Sequence, residues 1–147
     1  MSALTFILVV LVAFIAGVAS VVDERQFHRP LVACTLMGFA LGDPTTGIML
    51  GGALELIALG WMNVGAAMAP DSALASTISA LVVIQGHQNI DTGIAIAVPL
   101  AAAGQVLTIF VRTITVFFQH QADNFAKTAN FRGIELMHIS GMALQGL

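Results

Sequence analysis

The sequence predicts an all-α, polytopic membrane protein with broken helices and re-entrant hairpins. Of its 147 residues, 58% are hydrophobic and only 9% are charged, whereas a soluble domain carries about 25% charged residues. So few charges cannot cover a water-facing surface. In addition, long apolar runs alternate with short polar turns that contain glycine or proline. We therefore expect residues 1–147 to form a single membrane domain.

The first two apolar runs differ in length. Leu4 to Val22 is long enough to span a bilayer and has no basic residue before it, so we interpret it as a retained membrane helix. Leu31 to Gly42 has only 12 residues and reaches about 18 Å, which is too short for a hydrocarbon core of roughly 30 Å. Because Gly42 to Thr46 is a turn and another apolar run follows, this region predicts a re-entrant hairpin.

The apolar pattern is interrupted twice more in the middle of the chain. It breaks at Gly60 to Gly65, and Asp71 is placed to N-cap a helix from Ser72 to about Ile84. Gln85 to Asp91 is a further polar turn. A half-helix that starts at membrane depth directs its free N–H groups at whatever lies before it, which suits a polar ligand.

The last part of the chain predicts a second spanning helix and a loop. Gly93 to Phe118 is long enough to cross a bilayer, with a kink expected at Pro99. Gln119 to Arg132 is the most polar stretch, and we expect it to be a water-exposed loop. Leu136 to Leu147 predicts the start of a further helix that is cut at its end.

A single carboxylate, Glu55, interrupts the apolar run that follows the predicted hairpin turn. On a helix, Gly51 and Gly52 precede it by four and three positions and share its face. Gly47 and Gly51 also form a Gly-x-x-x-Gly pair, which lets another backbone approach that face closely. We therefore expect Glu55 to point into packed protein rather than toward lipid.

An ionisable group inside a membrane is costly unless it is paired or used, which makes Glu55 a functional candidate. The alternative is a structural ion pair with Arg29 or Arg112. Other polar side chains gather at the chain breaks, and amides and carboxylates suit the hydroxyl groups of a sugar. These same residues can also be membrane-edge, capping or turn residues. The candidates for substrate contact are Glu55, Gln26, Asn63, Asp71, Asp23, His28 and His87.

Several classes of function lack support in the sequence. The histidines and carboxylates do not have the spacing of a metal site, and no glycine-rich phosphate loop or nucleophile motif is present. We expect no cofactor and no catalytic machinery in the chain itself. The lone Cys34 cannot form an internal disulfide, and without a basic tract nucleic-acid binding is not expected.

Four stretches carry a resemblance to a known family: Asp23 to Pro30, Leu56 to Ala67, Ala69 to Asp71, and Pro99 to Leu107. Through them, and over nearly its whole length, the sequence resembles the IIC membrane component of the mannose-type bacterial phosphotransferase system (PTS). Members of that family are far longer, so the resemblance implies the N-terminal half of such a component. Arg25 departs from the pattern, because an apolar residue is expected there.

The resemblance implies a sugar permease subunit in the bacterial cytoplasmic (inner) membrane, with several membrane passes. Such a subunit binds and translocates a hexose of the mannose/glucose class, and a cytoplasmic IIAB partner phosphorylates the sugar. It pairs with a second membrane subunit, IID, in a trimer of IIC–IID pairs, and some members are bacteriocin receptors. Two alternatives remain: an ion-coupled transporter with Glu55 as its proton site, and a non-transporting fragment that serves as a docking surface for IID or a bacteriocin.

Overall fold

The computed structural model describes residues 2–22, 25–65 and 68–146. Within these residues the regular secondary structure is helical, which confirms the predicted all-α class. Two of the helices are long and apolar enough to cross a membrane, and three shorter ones are also apolar. The helices are α1 (Ala3–Val22), α2 (Pro30–Leu41), α3 (Pro44–Ala58), α4 (Ser72–Gln85), α5 (Ile90–Lys127) and α6 (Phe131–Gly146).

The predicted short hairpin is present as α2, a tight turn and α3. Gly42 ends α2 in the left-handed conformation, with φ of 85°, and its N–H donates to carbonyl oxygens at the end of that helix. Asp43 then N-caps α3, since its carboxylate accepts a hydrogen bond of 3.1 Å from the N–H of Thr46. Pro44 occupies the first turn of α3, where its missing N–H costs no helical hydrogen bond.

Small residues allow the two arms of this hairpin to pack backbone against backbone. A methyl group built on Gly47 would lie 2.5 Å from the carbonyl oxygen of Cys34 and 3.0 Å from Cα of Gly38. Real Cβ atoms essentially never approach another atom within 3.0 Å, so the contact with Cys34 requires glycine at position 47. Met37 and Leu50 are fully buried beside this contact and form the centre of the core.

The break expected at Gly60 to Gly65 is confirmed, because α3 ends at Ala58 and α4 starts at Ser72. The expected N-cap is also confirmed: the carboxylate of Asp71 accepts a hydrogen bond of 3.0 Å from the N–H of Leu74. Helix α4 has 14 residues, or about 21 Å, and returns through a polar turn into α5. Both predicted half-length helices are therefore present.

Helix α5 is longer than predicted at both ends. It has 38 residues and therefore extends about 57 Å, well beyond a hydrocarbon core of roughly 30 Å. The helix continues through Pro99. Its first half packs on α3 and α4, and its last half packs on α6.

The prediction that Gln119 to Arg132 forms a loop is wrong. Helix α5 continues to Lys127, α6 begins at Phe131, and only a short turn separates them. The glutamines, alanines and lysine of this stretch are good helix formers, so its polarity alone does not predict a loop. Phe125 also packs over Gly133, where a methyl group would lie 2.6 Å from its ring, and this contact holds the end of α5 against α6.

Candidate functional site

The segment that joins α3 to α4 is held against the middle of α5 by hydrogen bonds. The N–H of Asp71 donates to the carbonyl oxygen of Ala101 at 3.0 Å, and the side chain of Gln105 donates to the carbonyl oxygen of Met68 at 2.6 Å. The hydroxyl of Thr108 donates to the carboxylate of Asp71 at 3.1 Å. The three α5 residues are spaced by four and three positions and therefore share one helix face.

This segment forms one wall of a cavity of about 440 Å³. The other walls come from the end of α1, the residues before α2, the start of α4, the middle of α5 and the end of α6. The starts of α2 and α4 lie side by side here, because the hydroxyl of Ser72 donates to the carbonyl oxygen of His28 at 3.1 Å. The lining includes Gln26, His28, Arg29, Trp61, Asn63, Asp71, Thr108 and Arg112.

Four of the candidate substrate residues from the sequence line this cavity. Gln26 and His28 come from the connection before α2, and Asn63 and Asp71 come from the connection between α3 and α4. Asn63 accepts a hydrogen bond of 2.8 Å from the N–H of Ala69, so it also stabilises the turn within that connection. The chain breaks therefore bring together side chains that are far apart in sequence.

Glu55 lies behind this cavity rather than in its lining. Helix α3 runs unbroken through it, and its carboxylate forms an ion pair with the guanidinium of Arg29. The other carboxylate oxygen accepts a hydrogen bond of 3.2 Å from the N–H of Leu31. Of the two arginines that the sequence offered as partners, the structure selects Arg29, and Arg29 itself lines the cavity.

Of the two remaining candidates, the structure describes only His87. His87 is exposed in the turn after α4, and the length of that helix, about 21 Å, separates it from the cavity. Asp23 lies outside the described residues. His87 and the cavity are therefore at opposite ends of α4, because α4 begins at the cavity wall and ends just before this turn.

Comparison with known proteins identifies the family. Residues 3–147 match the family described as "PTS system sorbose-specific iic component". The chain belongs to this PTS IIC family. It is 65% identical over 147 residues to the fructose permease IIC component of Bacillus subtilis (strain 168), covering all of this chain and 55% of that protein. It is 62% identical over 144 residues to the mannose-specific EIIC component of Escherichia coli (strain K12), covering 98% of this chain and 54% of that protein.

A solved structure also matches this IIC chain. The mannose transporter ManYZ, determined by cryo-electron microscopy in complex with Microcin E492, superimposes with a TM-score of 0.96 at 62% identity, covering 99% of this chain and 59% of that one. The IIC chain spans about half the length of the curated relatives that it matches. Its family and its two long apolar helices indicate that it is an integral membrane protein.

Several cavity residues of the IIC chain were not identified as site residues from the sequence. Trp61 follows the end of α3 and presents a partly buried ring to the cavity. Thr108 and Arg112 also line it. A sequence signal existed for Trp61, since an amphipathic ring at a break in an apolar run suits a boundary between apolar and polar surroundings. Nothing local identified Thr108, because it reaches the site only through the packing of α5 on the connection.

Another cavity, of about 550 Å³, lies between α5 and α6. Most of its lining is apolar, including Phe118, Ile134, Met137 and Met142. It is the larger of the two, but its polar side chains are outnumbered by apolar ones, which suits a polar ligand less well. The polar cavity at the starts of α2 and α4 is therefore the better candidate site in this IIC chain.

Proposed function

We propose that this chain forms the sugar-binding part of a permease that translocates a hexose of the mannose/glucose class. The observation that carries the proposal is the polar cavity, in which the ring of Trp61 shares the walls with the hydrogen-bonding side chains of Gln26, Asn63 and Asp71. Its volume of about 440 Å³ falls within the range of roughly 300–1,000 Å³ that small-molecule sites occupy. An apolar ring face beside donors and acceptors matches the two kinds of surface on a sugar.

The balance of charge around the cavity supports a neutral ligand. Arg29 and Arg112 bring two positive charges to the lining, and Asp71 brings a negative one. Glu55 neutralises Arg29 from behind through their ion pair. A cavity with nearly equal positive and negative charge gives no general preference for an anion or a cation. Hydrogen bonds to hydroxyl groups are then the main source of selectivity.

The remaining parts of the proposed function concern the whole permease. It pairs with a IID membrane subunit in a trimer of IIC–IID pairs, spans the bacterial cytoplasmic membrane several times, and passes its sugar to a cytoplasmic IIAB protein for phosphorylation. The phosphoryl transfer belongs to the partners, and this chain is not itself an enzyme. The names of the relatives as PTS permease components and the solved ManYZ complex support this assignment.

The ion pair of Glu55 argues against the ion-coupled alternative. A proton carrier must lose its charge in each cycle, which would leave the half-buried guanidinium of Arg29 without its partner. A second role as a bacteriocin receptor does have support, because the ManYZ structure was determined with Microcin E492 bound. We include that role in the proposal as an additional property of the same membrane subunit.

Sugar binding by two matched glutamine variants tests the proposed site. Gln26→Ala removes a side chain from the cavity lining, whereas Gln85→Ala removes an exposed side chain at the far end of α4. Losing one hydrogen bond should weaken mannose or glucose binding about three- to tenfold for Gln26→Ala only. Calorimetric titration of the full-length permease in detergent measures this difference. Equal affinities in both variants and the wild type would place the sugar elsewhere.

Uptake into membrane vesicles tests whether transport is coupled to phosphorylation of the sugar or to an ion gradient. Vesicles that contain the full-length permease, its membrane partner and the soluble PTS proteins should take up labelled mannose only when phosphoenolpyruvate is supplied. Uptake that follows the membrane potential without phosphoenolpyruvate would reject the PTS mechanism in favour of ion coupling. Binding without uptake under either condition would support the docking alternative.

A further inference from the structure

The start of α2 is capped in an unusual way. Its N-cap residue, Arg29, makes no side-chain capping hydrogen bond, and Pro30 at the next position has no N–H to satisfy. The N–H of Leu31 instead donates to Glu55, which lies 24 positions later in the sequence. The carboxylate of α3 thus does for α2 what Asp43 and Asp71 do locally for α3 and α4.

Both oxygens of this carboxylate are occupied, by different groups. Oε2 accepts the hydrogen bond from the α2 backbone, and Oε1 pairs with Nη2 of Arg29. The two side chains are 30% and 20% exposed for arginine and glutamate, respectively. Arg29 lines the cavity and Glu55 does not. The acid therefore contacts the backbone on one side and the back of a cavity-lining guanidinium on the other.

The position of the carboxylate is fixed by backbone packing one turn earlier. A methyl group built on Gly51 would lie 2.9 Å from Cα of Leu31 and 2.9 Å from the carbonyl oxygen of Pro30. Gly51 precedes Glu55 by four residues, so both face the start of α2. This contact sets how far the Glu55 side chain must reach to meet Arg29.

We infer that Glu55 is a positioning residue that holds the guanidinium of Arg29 in place, and that Arg29 is the group that contacts the sugar. This inference rests on the proposed function. A guanidinium carries five N–H donors in a rigid fork, and the ion pair uses Nη2. The remaining donors serve neighbouring hydroxyl oxygens of a neutral sugar. Glu55 thereby affects sugar affinity only through Arg29.

A double-mutant cycle tests whether Glu55 affects sugar affinity only through Arg29. It uses the full-length permease, solubilised with its membrane partner. The variants are Glu55→Gln, Arg29→Gln and the double substitution, with mannose affinity measured by calorimetry. Glutamine keeps an oxygen that accepts from Leu31, so the cap of α2 is retained while the ion pair is lost. Glu135→Gln, at an exposed position on α6, is the matched control for the change from carboxylate to amide.

We expect Arg29→Gln to weaken mannose binding about tenfold, because hydrogen bonds from a charged donor are the stronger kind. Glu55→Gln should weaken it by a smaller factor, and the double variant should bind as Arg29→Gln does. Arg29→Lys keeps the charge but loses the fork, and should recover only part of the affinity. Glu135→Gln should leave the affinity unchanged.

Other outcomes lead to different conclusions. Losses that multiply in the double variant would show that Glu55 contacts the sugar directly, which overturns the inference. Wild-type affinity in both single variants, together with a lowered melting temperature, would make the pair purely structural and also overturn it. If the wild-type permease binds no hexose at all, the proposed function fails instead. If Glu55→Gln does not assemble, the two Arg29 variants still test the contact. A loss of about tenfold in Arg29→Gln with only partial recovery in Arg29→Lys supports Arg29 as the sugar contact, and wild-type affinity in both variants overturns it.

Discussion

Hairpins α2–α3 and α4–α5 share a plan but pack by different means. In each, a short helix turns sharply into a second helix that carries Thr-Gly-Ile at its third to fifth positions, with Gly47 in α3 and Gly93 in α5. Gly47 contacts the backbone of α2. Gly93 instead receives side-chain methyl groups, because a methyl built there would lie 2.6 Å from Cγ2 of Val83 and 2.9 Å from Cδ1 of Leu50.

The difference indicates which hairpin tolerates change. Backbone atoms within a helix cannot move apart without shifting the whole element, whereas the end of a side chain can rotate. We therefore expect α2–α3 to be the stiffer unit, and it is the one that holds the ion pair of Arg29 and Glu55. The α4–α5 hairpin contributes the hydrogen bonds that hold the cavity wall, through Gln105 and Thr108.

The largest effect is expected for Gly51→Ala in the stiff hairpin. The added methyl group would press on Leu31 and Pro30 backbone atoms at 2.9 Å, and overpacking of this kind costs about 3 kcal/mol of unfolding free energy. Gly52→Ala is the matched control, because nothing lies within 4 Å of a methyl group there. It should be neutral or stabilise α3 by up to about 1 kcal/mol.

Unfolding of the purified permease by sodium dodecyl sulfate, followed by circular dichroism, measures both glycine variants. Similar unfolding curves for the Gly51 and Gly52 variants would show that the close backbone contact does not limit stability. The sequence alone placed Gly51 and Gly52 on one face beside Glu55. Only the structure separates the glycine that touches α2 from the one that faces open space.

A smaller loss of stability is expected for a substitution in the α4–α5 hairpin. Gly93→Ala should cost about 1.5 kcal/mol, because the methyl groups of Val83 and Leu50 have to shift to make room. Adding Val83→Ala should offset part of this cost, so that the two substitutions together destabilise less than the sum of their separate effects. The same detergent unfolding assay measures this coupling. A strictly additive pair would mean that Gly93 is limited by something other than the end of Val83.

Local sequence signals predicted the start of α4 but not that of α3. Pro44 was expected within a turn that ends at Thr46, whereas the structure places it in the first turn of α3. Asp71 was expected to cap a helix from Ser72 and does so, because a cap acts within one turn of the chain. The extension of α5 to Lys127 was missed for the opposite reason. Its polar residues are compatible with a loop or a helix, and the contact of Phe125 with Gly133 that favours the helix depends on α6.

The candidate site was predicted only where a chain break gathers its residues. Asn63 and Asp71 lie in the break between α3 and α4, so sequence reasoning reached them. The partner of Glu55 could not be chosen between Arg29 and Arg112, since that choice depends on how closely Gly51 brings α3 to the start of α2. His87 shares the polar character of the site residues, but only the course of α4 places it at the other end.

The smallest loss of stability is expected when the helix caps in the turns of the two hairpins are removed. Asp43 accepts hydrogen bonds from both the N–H and the hydroxyl of Thr46, at 3.1 and 2.6 Å, whereas Asn89 at the start of α5 makes no side-chain capping hydrogen bond. Asp43→Ala should therefore cost about 1 kcal/mol of unfolding free energy, and Asn89→Ala less than about half of that. Both residues lie at the end of the short helices away from the cavity, so mannose affinity should stay at the wild-type value in each variant. Equal losses of stability would mean that the turns are held by the packing of their helices and not by the cap.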